Sequence, residues 1–131
     1  MSKTYYHYTR KEYAELITSE KCLKSNYGLV FACDTELDMK KFTYINYKIG
    51  IINLDDYCVI QFKANMKPEE SYDHSTGFYH NARAVVFVTH NLKIKPIKVI
   101  PLYKFLQEEL INEQRINEGA SSRPINILRG K

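Results

Sequence analysis

A histidine stands in the middle of an aromatic, strand-like segment near the start of the chain, Tyr6-His7-Tyr8-Thr9, and a helix-like stretch follows it at once. An imidazole has no packing reason to sit among tyrosines, but it can donate or accept a hydrogen bond and so hold a nucleotide. A second group lies at Ser25-Asn26-Tyr27-Gly28, a turn that carries an aromatic ring able to stack on a flat ligand. A third group, Asp73, His74 and His80, falls in a polar stretch between Pro68 and Asn81. It could imitate a metal site, but the loop spacing of its histidines without a firm third ligand is not a zinc pattern.

Each of these residues also has an ordinary use. A lone histidine is more often a hydrogen-bonded structural residue, and an acid in a loop more often serves turn chemistry than catalysis. The combination of His7 with Tyr27-Gly28 brings the functional reading of His7 level with the structural one. Ser25 and Ser75 have no base at a diagnostic spacing, and neither a hydrolase elbow nor a Walker loop is present. Lys93, Lys95 and Lys98 with Arg83 make a basic strand face, the usual composition of a solvated sheet edge.

The elements that must position these groups can be read from periodicity. Thr9-Arg10-Lys11-Glu12 has the form of a capping box, so a helix is expected from Thr9 to about Glu20-Lys21, with Tyr13, Leu16 and Ile17 on its apolar face. An extended piece at Cys22–Ser25 and the Asn26-Tyr27-Gly28 turn lead into an apolar strand, Leu29–Cys33. Asp34 or Thr35 caps a second helix through about Phe42. Thr43 to Leu54 reads equally as strand or helix. Tyr57–Lys63 is rich in β-branched and aromatic residues and reads as a strand. Asn65 to Asn81 reads as one long surface loop, of the kind that is disproportionately functional.

Arg83–Val88 is the strongest strand signal, and Leu92 to Leu102 is a further extended stretch broken by Pro96 and Pro101; these two are expected to be sheet neighbours. A terminal helix spans Tyr103 to Ile116. The expected organisation is one domain over residues 1–118 and a basic tail over 119–131.

Composition bounds the answer further. The chain has 131 residues, 44% of them hydrophobic and 26% charged, which excludes a disordered or collagen-like chain and fits one moderate core. Eleven tyrosines and no tryptophan favour strand surfaces and a cleft that both stacks and hydrogen-bonds, although ordinary tyrosines in a β-rich domain give the same count. A net charge of +4 permits an anionic partner without requiring one. Cys22, Cys33 and Cys58 are odd in number and irregularly spaced, and read as reduced, buried thiols. No long apolar run is present, so neither a signal peptide nor a spanning helix is expected.

A strand bearing Tyr-His-Tyr-Thr, a helix, a Ser-x-Tyr-Gly turn and then an apolar strand together resemble the start of ADP-ribosyltransferase domains. The resemblance is to the His-Tyr-Asp class of bacterial polymorphic toxins and rifampin-modifying enzymes. It covers residues 5 to 102 in element order, with its motif content concentrated in the first 33 residues. It implies an α+β fold with a split, mainly antiparallel β-sheet, short helices and a C-terminal helix, and a cleft that binds NAD as substrate. Carried over residue by residue, His7 would hold the nicotinamide-side ribose, Tyr8 and Thr9 would flank it, and Tyr27 would stack on nicotinamide beside Ser25 and Gly28. The family's late-strand acid has no counterpart in His80-Asn81-Ala82-Arg83-Ala84, which leaves Asp73 as the nearest carboxylate.

The activity so implied is transfer of ADP-ribose from NAD to a macromolecular acceptor, protein or nucleic acid, in a toxin or phage–host conflict setting. The expected location is the cytoplasm of the producing or target cell, with no membrane partner and an inhibitory partner protein in a toxin setting. Three alternatives stand beside it. One is a degenerate relative that binds or sequesters a nucleotide-derived ligand without turnover. Another is transfer to an RNA 2′-phosphate, for which Arg10 and Arg83 are too few arginines. The last is a protein-interaction domain with no small ligand.

Overall fold

The computed structural model describes residues 3–71 and 82–121. The chain runs β1 (Lys3–Arg10), α1 (Lys11–Glu20), β2 (Cys22–Lys24), β3 (Leu29–Ala32), α2 (Glu36–Lys48), β4 (Tyr57–Ala64), β5 (Glu69–Ser71), β6 (Ala84–Val88), β7 (Asn91–Lys93), β8 (Lys95–Pro101), α3 (Leu102–Phe105) and α4 (Gln107–Ser121). Every strand pairing among the described residues is antiparallel. The strands form a sheet ordered β1-β4-β8, a second ordered β3-β6-β5, and the two-stranded pair β2-β7. This is an α+β architecture with antiparallel sheets.

Alternation along the strands explains the layering, because successive side chains leave opposite faces. Tyr5 of β1 and Cys58, Ile60, Phe62 and Ala64 of β4 enter one core with Phe87, Val30 and Leu92. Tyr6 and Tyr8 lean the other way, onto a second core built from Met39, Phe42, Val59, Leu102, Phe105 and Leu106. Phe62 and Phe87 are fully buried, and Tyr5 meets the Phe87 ring edge-on with centroids 5.0 Å apart. The sheet β1-β4-β8 is therefore the partition between two cores.

Among the described residues the main chains of the two three-stranded sheets are joined at one place. Tyr6 and Cys33 form an isolated bridge, Tyr6 N donating to Cys33 O at 2.8 Å and Cys33 N to Tyr6 O at 2.9 Å. Beyond it, β1 pairs on its other side with β4 and β3 pairs with β6, so the two strands part.

Several elements differ from expectation for identifiable reasons. The capping box at Thr9 is not made: Thr9 is still extended, paired with Cys58, and the N-cap of α1 is Arg10, whose Nε donates to Glu12 at 2.7 Å. Strand pairing thus outcompetes the local cap. On α1 the buried residue is Ala14, with Ile17 packed beside it, while Tyr13 and Leu16 are exposed. The second helix is capped by Thr35, which accepts from Asp38 N at 3.0 Å, and continues to Lys48, resolving the ambiguous Thr43 region as helix as far as that residue.

The stretch after Asn65 contains the short strand β5. Arg83–Val88 and Leu92–Leu102 are not neighbours: β6 lies between β3 and β5, whereas β8, among the described residues, pairs only with β4 at a sheet edge, where its prolines are tolerated. The C-terminal helix breaks at Leu106 into α3 and α4, and α4 continues through Gly119 to Ser121, past the expected domain end. Cys33 and Cys58 are buried and Cys22 half-buried, all three free. No helix among the described residues is long and apolar enough to cross a membrane.

Candidate functional site

Where β1 and β3 part, a cavity of about 300 Å³ opens, lined by His7, Tyr8, Lys24, Asn26, residues 29–33, Met39, Phe42, Asn46 and Ala84. His7 and Tyr8 leave opposite faces of β1, so the cavity wraps the free edge of that strand rather than lying on one face of a sheet. Its size is at the lower end for ligand sites, ~300–1,000 Å³, enough for one ring and a sugar.

His7 is held firmly in the cavity lining. Its Nδ1 lies 2.7 Å from the carbonyl oxygen of Phe31, the residue two before the bridge partner Cys33. A carbonyl only accepts, so Nδ1 carries the proton and the neutral ring presents Nε2 as an acceptor. Burial pushes the imidazole below its ordinary value, and the bond to Phe31 only partly opposes this. The neutral form is therefore the one present at pH 7, and Nε2 suits a ligand hydroxyl.

The helix side of the cavity comes from Met39, Phe42 and Asn46 of α2, on a helical face that also carries the buried Thr43. Thr43 is buried and satisfies itself by donating to Met39 O at 2.7 Å. Asn46 is 2% exposed, and its Nδ2 donates to Tyr8 Oη at 3.5 Å, a long contact. Sequence reasoning passed over Asn46, Met39 and Phe42. The available signal was the stripe itself, in which two buried positions of four are polar.

The other end is the β2–β3 hairpin. Asn26 and Leu29 exchange main-chain hydrogen bonds at 2.9 and 3.2 Å around Tyr27-Gly28. Both central residues have positive φ, 57° and 81°, the requirement of a type I′ turn. Gly28 meets that requirement freely; Tyr27 does not. The turn sends Tyr27 outward, 97% exposed, outside the cavity lining but between two residues, Asn26 and Leu29, that belong to it. Ser25 is occupied in the turn, its Oγ accepting from Gly28 N at 3.0 Å, and Thr9 lies on β1 beyond the lining. Of the residues singled out in the sequence, the structure brings His7 and Tyr8 together in the cavity and leaves Tyr27, Ser25 and Gly28 at its rim. Asp73, His74 and His80 lie outside the described residues.

Comparisons with protein-family models, with curated proteins and with solved structures give no match. The chemistry of the site therefore rests on its own residues. Among the described residues no cluster of three His, Cys, Asp or Glu side chains is arranged to hold a metal. The lining offers a neutral imidazole, a phenol, two amides and one ammonium, Lys24, on otherwise apolar walls. Lys24 forms no ion pair among the described residues. Such a set is that of a mostly apolar pocket with a few polar groups and one cation.

Proposed function

We propose that this protein binds NAD in the cavity between β1 and β3 and transfers ADP-ribose from it to a macromolecular acceptor. The observation that carries the reading is the neutral His7 of the cavity lining, fixed through Nδ1 so that Nε2 is left as an acceptor. In this reading His7 Nε2 accepts from a hydroxyl of the nicotinamide-side ribose and fixes the sugar. The nicotinamide ring lies against the walls formed by Tyr8 and Phe42, and Lys24 meets the pyrophosphate as it leaves the cavity. Tyr27 closes over the ring from the rim.

In the transfer, the bond between ribose C1′ and the pyridinium nitrogen breaks and its electron pair leaves with nicotinamide. The electron-poor C1′ is captured by a nucleophile of the acceptor, whose proton passes to a carboxylate. Holding sugar and ring in place is the main contribution expected of the site, since positioning and fixed dipoles supply most of such a barrier reduction. Asp73 is the residue proposed for the carboxylate role.

One feature favours the binding-only alternative: among the described residues, the cavity lining carries no carboxylate. A single assay separates the two. Purified protein is incubated with NAD and nicotinamide release is followed for wild type, His7→Ala and Asp73→Asn. Release that depends on both residues supports transfer. NAD-dependent thermal stabilisation without release, lost in His7→Ala, supports binding alone. No release and no stabilisation contradicts both.

A further inference from the structure

We infer that the open end of the β1-β4-β8 sheet face, which carries Lys63, Lys95 and Lys98 beside Tyr6 and Gln61, is a docking surface for single-stranded nucleic acid. None of these residues lines the cavity, so what this face binds is independent of the NAD reading.

The strand register sets the face out in rows. Tyr8, Val59 and Ile100 stand opposite one another and pack into the second core with Leu102 and Phe105 of α3. The next row is Tyr6, Gln61 and Lys98, and the one beyond it Thr4, Lys63 and Lys95. All three lysines are exposed. In a regular strand Lys95 and Lys98, three residues apart, would leave opposite faces. The register of β8 shifts between Gln61 and Phe62, so that Ile97 is an extra residue there and both lysines come to the face that carries Lys63.

Edge protection accounts for lysines on β8 but not for Lys63. Its strand, β4, is paired on both sides, and Lys63 stands between Thr4 and Lys95. Like charges directly opposite one another on a sheet cost stability, whereas an acid at either position would add to it. None of the three lysines forms an ion pair among the described residues. Glu36, the carboxylate felt by Tyr6, is taken by Lys40 at 3.2 Å. One face is thus left with three uncompensated positive charges.

The set contains no arginine. It offers point charges without the fork that holds a single carboxylate, and contacts of that kind follow a phosphate backbone without reading its sequence. Tyr6 shares a row with Lys98, and its half-buried ring, with the Gln61 amide 3.5 Å from its hydroxyl, supplies an aromatic surface and a polar group for bases. Bases are free to meet that ring only when unpaired, which selects a single strand over a duplex.

The test is fluorescence anisotropy of a labelled oligothymidylate of about 15 nucleotides, titrated with the full chain at several salt concentrations. Wild type is expected to bind saturably at low salt, with affinity falling on a log–log salt slope of about −2, three phosphate contacts at ~0.7 each. Lys63→Gln, Lys95→Gln and Lys98→Gln together should weaken binding at least ~10-fold and bring the slope near zero. Lys63→Gln alone should lower the slope by ~0.7 and decides the matter if the triple variant does not fold. Both variants relieve the Lys63–Lys95 repulsion, so their denaturant midpoints should be no lower than that of wild type. Lys11→Gln, Lys21→Gln and Lys104→Gln together remove the same net charge elsewhere and should change affinity by less than about threefold. No saturable binding by wild type, an equal loss in this control, or equal affinity for polyglutamate or for a duplex of the same length overturns the inference.

Discussion

His7 Nδ1 donates to Phe31 O at 2.7 Å across the line where the β1 sheet and the β3 sheet separate. The main-chain bridge at Tyr6 and Cys33 is the last backbone link between the two strands, and the imidazole continues that link with a side chain. One ring thereby ties the two sheets and keeps its second nitrogen for something else.

Proton binding to His7 should follow from this placement. Burial lowers its value from the ordinary 6.5, so the unfolded chain binds a proton at a pH where the folded protein still does not. The stability this gives is fully present above about 6.5 and declines as pH falls from there toward the lowered folded value. Histidine nitrogen NMR is expected to show His7 as the neutral, Nδ1-protonated tautomer at pH 6.5. His7→Gln should flatten the decline in unfolding free energy below that pH. A His7 resonance that titrates at or above 6.5 would contradict the burial argument.

Tyr27 separates stability from binding. A type I′ turn prefers asparagine before glycine, and tyrosine at φ 57° is held there against its preference. Because Tyr27 is 97% exposed, its replacement forfeits almost no burial. Tyr27→Asn is expected to stabilise the protein by about 0.5–1 kcal/mol in denaturant melts. If the ring closes over a ligand from the rim, the same variant weakens NAD binding by roughly 3- to 10-fold despite its higher stability.

Arg83 holds the approach to β6. Its guanidinium bridges Asp34, whose side chain is 5% exposed, and Glu70 at 3.0 Å. Asp34 Oδ1 has no partner among the described residues, so Oδ2 carries that carboxylate's contacts. Arg83→Ala should cost about 1 kcal/mol, the low end for exposing a buried acceptor's deficit, because Arg83 itself is half exposed and screened. Adding Asp34→Asn should recover part of that loss in equilibrium unfolding, since it removes a largely buried charge left with only the exposed Lys3 ammonium at 3.4 Å; additive losses would show that the pair is not coupled.

The parts of this architecture that could be read in the sequence are those fixed locally. The β1 strand, the Tyr27-Gly28 turn and the β3, β4 and β6 strands follow from alternation and turn chemistry. His7 was visible because an imidazole interrupts an aromatic strand. On the helix side of the cavity, Met39 and Phe42 fall within the helix expected through Phe42, but the turn that carries Asn46 was not legible, since Thr43-Tyr44-Ile45 and Tyr47 carry strand-favouring side chains and packing of the Met39–Asn46 stripe makes them helical. The neighbour relation assumed between β6 and β8 failed for a related reason. Adjacency in sequence says nothing about which free edge a strand finds, and β8 finds β4. The outward direction of Tyr27 depends on the turn type, which needs φ at two residues and not merely a glycine.

The most direct test of the central claim is an NMR titration of protein labelled with nitrogen-15 in its histidines, the His7 signals being assigned with His7→Ala. Adding NAD should shift His7 Nε2 along a saturating curve while Nδ1, held by Phe31, stays nearly fixed. A His7 Nε2 resonance that does not move at saturating NAD would contradict the account, whatever happens at the other histidines.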